Sequence, residues 1–131
     1  MKSARKARSR QRGAAAVEFA LVLPLLLLLA LGGVDWGWYF YLRGVVASAA
    51  REGARAGSIS WNQTTAENAA TSHLSRLGLP SGRASATATP TNVNGAPAMR
   101  VIVTYPGSSL TGFTGTPANV QATAEMRRER F

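Results

Sequence analysis

Arg12-Gly13-Ala14-Ala15-Ala16-Val17-Glu18-Phe19-Ala20-Leu21-Val22-Leu23-Pro24-Leu25-Leu26-Leu27-Leu28-Leu29-Ala30-Leu31-Gly32-Gly33-Val34 is the stretch on which the reading of this chain turns. From residue 14 to 34 the only charge is Glu18. Eight of the eleven positions 21–31 are leucine. About 20 apolar residues cross a bilayer core as a helix. At roughly −0.3 to −0.6 kcal/mol each on an insertion scale, the leucines contribute roughly −2.4 to −4.8 kcal/mol. A carboxylate at the bilayer centre costs a few kcal/mol, but Glu18 lies near one end of the run, where headgroups and water reduce that cost. Insertion therefore wins. Pro24 removes one backbone donor inside the run, and reads either as a tolerated kink or as a flexible point in the helix.

Outward on the N-terminal side, Lys2, Arg5, Lys6, Arg8, Arg10 and Arg12 precede any acid in a chain of formal net charge +9. Such a tail is either a nucleic-acid arm or a topology anchor. The apolar run that follows it favours the anchor. Residues 1–13 are then a basic cytoplasmic leader, and the C-terminal part is exported. No nucleic-acid partner is expected. A rival reading is a cleaved secretory signal, with Ala30-Leu31-Gly32 as a small-residue cut site. Glu18 in the core and helical character beyond the site count against it.

Outward on the C-terminal side come Trp36, Trp38, Tyr39, Phe40 and Tyr41. They read as an aromatic belt closing a transmembrane segment at 14–41, or as a packing cluster of the exported part. From Leu42 to Gly57 the helix is expected to continue. Gly33 and Gly37, then Ala49, Gly53 and Gly57, are spaced four apart, and small residues at that spacing let two backbones approach closely. Glycine inside a helix costs about 1 kcal/mol relative to Ala, so something is expected to pack there. Its own sheet and a neighbouring subunit are both open as the partner. Arg51, Glu52 and Arg55 read as a solvated charged face.

Residues 42–131 are expected to form an exported helix plus a small β domain. A second, shorter helix lies within 61–79. Thr64 and Glu67 have capping-box spacing, Gly78 with Pro80 make a stop, and Ala66, Ala70, Leu74 and Leu77 give an apolar face. Period-two alternation predicts strands at 84–90, 98–105 and 119–127, and Asn94-Gly95 is a hairpin-turn signal. The segment 106–117, rich in Gly, Ser and Thr with Leu110 and Phe113 inside it, is a long loop. The arrangement is α+β: a long N-terminal helix, a short second one, and about three antiparallel strands packed on the helix. The end at Arg127-Arg128-Glu129-Arg130 reads as solvated.

The residue types exclude much chemistry. Without cysteine there is no disulfide or thiolate metal site. His73 is the only histidine, so it has no partner of its own kind for a metal and reads as structural or solvated. No Gly-rich phosphate loop follows a strand. Glu18 and Asp35 are about 25 Å apart along one helix and do not form a carboxylate pair in one subunit. No catalytic residue, cofactor, metal or small-molecule substrate is expected, and the chain does not read as an enzyme.

Three stretches carry a resemblance: Arg12 to Pro24 as quoted above, Ala49-Ala50-Arg51-Glu52-Gly53-Ala54-Arg55-Ala56, and more weakly Ala122-Thr123-Ala124-Glu125-Met126-Arg127-Arg128-Glu129. The chain resembles TadE-like proteins, the pseudopilins or minor pilins of tight-adherence (Flp-type) pilus systems. The resemblance implies a single-pass protein of the bacterial inner membrane, with prepilin peptidase, other pilins and pilus assembly proteins as partners. By the type IV pilin pattern it implies a cut after Gly13, a new N-terminus at Ala14, and Glu18 as the fifth residue. Flp-type pilins usually carry Tyr after this Glu, where Phe19 keeps the ring and loses the hydroxyl. An uncleaved single-pass assembly factor is the alternative reading. On either reading Glu18 sits one helical turn from Ala14. After a cut it would meet the new ammonium there, and without a cut it is satisfied by a helix N-terminus and water.

Overall fold

The computed structural model describes residues 2–113 and 115–128, with side chains from residue 13 onward. The side chains of the basic tail, and Glu129 and Arg130 of the C-terminal run, lie outside the described residues.

Helix α1 runs unbroken from Lys2–Ser60, through Pro24. At 1.5 Å per residue, its 59 residues extend about 88 Å. Its character changes along its length. Every residue from 13 to 30 is exposed, so none of the described residues covers the leucine run before Leu31. From Leu42 onward one face becomes core: Leu42, Val45, Val46, Ala49, Ala50 and Ala54 are buried. These positions recur at three- and four-residue steps, the mark of a helix with one packed face.

Trp61 leaves α1 with φ 51°, in the left-handed region, and turns the chain back. Helix α2 (Gln63–Arg76) then starts on Asn62, whose side-chain oxygen accepts from the Thr65 backbone N–H. This corrects the expected Thr64–Glu67 capping box. Asn62 has the extended backbone of a cap and is a stronger capping residue than Thr. Glu67 turns away from the helix start, and its carboxylate accepts the Ala88 backbone N–H at 2.9 Å. The stop at Gly78 is as expected. Gly78 has φ 83°, its N–H bonds Ser75 O, and the Leu79 N–H bonds Leu74 O at 3.0 Å. That pair of bonds is a Schellman motif, and it needs the left-handed backbone that glycine provides. Leu74 and Leu79 are both buried in the core.

A short 3₁₀ turn at Ser81–Arg83 leads into three antiparallel strands in the order β1-β2-β3: β1 (Ser85–Val93), β2 (Ala96–Pro106) and β3 (Asn119–Arg127). Asn94 and Gly95, with φ 51° and 78°, form the two-residue turn that pairs Val93 with Ala96. The first two strands run past the expected 84–90 and 98–105, because the turn keeps them paired up to itself. Pro90, which lacks a backbone donor, is tolerated because β1 is an edge strand. The register sets Val101 between Ala88 and Ala124, and Tyr105 beside Val120, on one face. That face holds the buried residues Met99, Val101, Val103, Tyr105 and Val120, and packs on the helices. The other face carries Thr87, Thr89, Thr104, Thr123 and the Arg100–Glu125 ion pair.

The core lies between the sheet and the C-terminal third of α1, with α2 alongside. A Cβ added at Gly57 would meet Met99 Cγ at 2.7 Å, and one at Gly53 would meet Val101 Cγ1 at 3.2 Å. As α1 is followed back toward the leucine run, β2 is followed forward. Strand β2 therefore delivers its end, and the loop after it, toward the apolar part of α1. Arg128 is exposed, as expected of this end, and has one contact that the sequence did not predict. Its guanidinium stacks 5.0 Å from the Trp61 ring centroid, and its N–H bonds Pro97 O.

Candidate functional site

Gly13, Ala14, Glu18 and Phe19 all lie exposed on α1. A Cβ at Gly13 would meet nothing within 4 Å. Helical geometry sets Glu18 one turn beyond Ala14, on the same side and about 6 Å along the axis. Among the described residues, no hydrogen bond or ion pair to the Glu18 carboxylate is formed. An ammonium at position 14 would therefore fall within reach of this carboxylate, in the same subunit or one alongside.

The small residues divide into two groups. Gly53 and Gly57 are buried against α2 and β2: added Cβ atoms would lie 2.8 Å from Ala66 O and from Ala66 Cβ respectively. Ala49 is buried in the same core. Gly33 and Gly37 have nothing within 4 Å of an added Cβ. Of the five positions, the domain uses three for itself and leaves a two-glycine notch on the bare part of the helix.

The aromatic cluster also divides. Trp38 and Tyr39 pack against the core cluster, whereas Trp36, Phe40 and Tyr41 are exposed. Edge-on and stacked contacts link them: Trp36 with Tyr39 at 5.7 Å, and Trp38 with Tyr41 at 5.4 Å between centroids. Trp38 and Tyr39 follow the packing reading, and the exposed Trp36, Phe40 and Tyr41 do not.

Asp35 is the residue whose role the sequence did not reveal. It is fully buried, at the level where the apolar run ends. Its Oδ1 accepts the Thr111 backbone N–H at 2.9 Å and its Oδ2 accepts the Thr111 hydroxyl at 2.5 Å. The contact spans 76 residues of sequence and pins the loop 107–118 onto α1. The base of that loop is closed by a Gly107 N–H to Ala118 O bond of 2.9 Å. The available signal was an acid at the end of an apolar run, facing a loop rich in hydroxyls, and that pattern has too many possible partners to choose among.

His73 Nε2 and Ser48 Oγ share a 2.9 Å hydrogen bond that ties α2 to α1, a structural role. Among the described residues no three of His, Asp and Glu converge on a possible metal position.

Residues 13–55 match the family model described as TadE-like protein. This is the family that the junction and the Ala49–Ala56 stretch resemble. The match begins at Gly13 and ends within the C-terminal third of α1, before α2 and the sheet. No curated protein and no solved structure matches the chain. The match, together with a helix long and apolar enough to cross a membrane, fits a membrane protein associated with a Tad pilus.

Proposed function

We propose that this chain is a TadE-like minor pilin or pseudopilin that takes part in assembling a tight-adherence pilus. The observation that carries the reading is the match starting at Gly13, on a helix whose next seventeen residues are all exposed and, apart from Glu18, uncharged and mostly apolar. On this reading the basic tail stays in the cytoplasm and the leucine run spans the inner membrane. The α2–sheet domain is exported, and a prepilin peptidase cuts after Gly13. The cut leaves an ammonium at Ala14 and discards the tail.

Glu18 then acquires a partner. A pair in low dielectric is far less costly than either charge alone, although desolvation limits its net worth. Pairing with a neighbour's ammonium would fix axial register when such helices bundle. The notch at Gly33 and Gly37 would admit a second backbone closely, while Ala49, Gly53 and Gly57 serve the subunit's own core. The role is structural rather than enzymatic.

The test is N-terminal sequencing and intact mass of the membrane-associated protein. The proposal expects loss of thirteen residues and a start at Ala14, with Gly13→Leu accumulating as full-length precursor. Trimming of that variant at Ala14 would refute this account of the site. The continuous helix through Gly13 favours one alternative, an uncleaved single-pass assembly factor. A full-length chain in the wild-type membrane would support it.

A further inference from the structure

Among the described residues outside α1, three large hydrophobic side chains are exposed: Leu77, Leu110 and Phe113. Two of the three lie within two residues of Thr111, the residue held by Asp35. Phe113 is 72% exposed and Leu110 59%, so the domain leaves both uncovered while fixing the backbone between them. We propose that the loop 107–118 is a second membrane contact, in which the Asp35–Thr111 latch sets Leu110 and Phe113 into the headgroup–acyl boundary of the outer leaflet. The inference rests on the reading of α1 as a membrane span.

The depth follows from the helix itself. Residues 14–34 rise about 31 Å, against a hydrocarbon core of about 30 Å. Asp35 is the next residue, so the latch sits where the hydrocarbon ends. Trp36, Phe40 and Tyr41, exposed on the same stretch of helix, belong to residue types that settle at that boundary. The loop carries no charged residue from Gly107 to Ala118, so nothing in it opposes approach to lipid. A fully buried acid at this level would be costly without donors, and Thr111 supplies two. Phe and Leu side chains on an otherwise polar loop are the residues that interfacial segments bury in the acyl boundary. The domain would then be held at two points, the helix and the loop tip, which restrains its tilt over the bilayer.

The chain has no cysteine, so single cysteines can be introduced and labelled with an environment-sensitive fluorophore in the full chain, reconstituted in phosphatidylethanolamine–phosphatidylglycerol nanodiscs. Three sites are read with spin-labelled lipids and with aqueous iodide. Val22→Cys reports the span, Asn92→Cys beside the far hairpin turn reports the aqueous side, and Phe113→Cys reports the loop. The expected result is lipid quenching at positions 22 and 113 but not 92. At position 113, labels near the headgroup should quench more than labels at the tail ends. Adding Asp35→Ala or Thr111→Val to Phe113→Cys should reduce the lipid quenching, while position 22 keeps its own. Iodide quenching at 113 equal to that at 92, with 22 still in lipid, overturns the loop proposal alone. Shielding of 113 from both quenchers in an oligomer means that protein is the occupant, and also overturns it. Iodide access at 22 overturns the membrane reading itself.

Discussion

The backbone oxygen of Ala66 on α2 lies 2.8 Å from where a Cβ on Gly53 of α1 would sit. No side chain fits between the two helices at this crossing, and the crossing fixes how α2 and the sheet seat on the C-terminal third of α1. Gly53→Ala would gain helix propensity of about 1 kcal/mol but press a methyl against backbone, an overpacking cost of about 1–3 kcal/mol. A net loss of stability is expected. Gly44→Ala, with nothing within 4 Å, should instead raise stability by up to about 1 kcal/mol. Thermal melting of the two variants in the same detergent checks the opposite signs, and a stabilised Gly53→Ala chain would contradict the crossing.

Glu67 on α2 accepts the Ala88 N–H of edge strand β1, tying helix to sheet. Glu67→Ala should cost about 1.5–3 kcal/mol, as expected for a hydrogen bond to a charged acceptor. Glu67→Gln keeps an acceptor oxygen and should cost less. Hydrogen exchange at the Ala88 amide supplies a direct readout: it should quicken strongly in Glu67→Ala and little in Glu67→Gln.

The Arg100–Glu125 pair links β2 to β3 on the solvent face, with side chains 44% and 34% exposed. Exposed pairs of this kind contribute about 0.2–1 kcal/mol. A double-mutant cycle with Arg100→Ala and Glu125→Ala should return a coupling in that range that shrinks as salt is raised.

Glu18→Ala should permit cleavage after Gly13 but lower pilus yield, because the carboxylate is assigned to pairing with the Ala14 ammonium and not to the peptidase. Immunoblots of precursor and mature forms, beside sheared-pilus yield, separate the two steps. Normal yield from this variant would sink the pairing assignment.

Much of this architecture is legible in local pattern. The leucine run, the Asn94-Gly95 turn, the Gly78 stop and the third strand all follow from side-chain period or from backbone conformations that few residues adopt. The Asn62 cap was missed because Thr64 and Glu67 offered an equally good local spacing, and only the left-handed turn at Trp61 decided where the helix begins. The stacking of Arg128 on Trp61 was missed because sixty-seven residues separate them, and no local rule pairs them. Among the small residues at four-residue spacing, sequence did not separate those that serve the domain's core from those left open.

The sequence by itself determined that one long helix begins in a basic tail, passes through an apolar run and continues into a small α+β domain. Periodicity and transfer free energy act on neighbouring residues and need no tertiary context. Only the tertiary structure decided that Gly53 and Gly57 are filled from within while Gly33 and Gly37 stay open, and that Asp35 belongs to Thr111. Both depend on β2 running back along α1. That path brings a loop seventy-six residues away to the end of the apolar run, and a packing choice of this kind leaves no trace in the spacing of either segment.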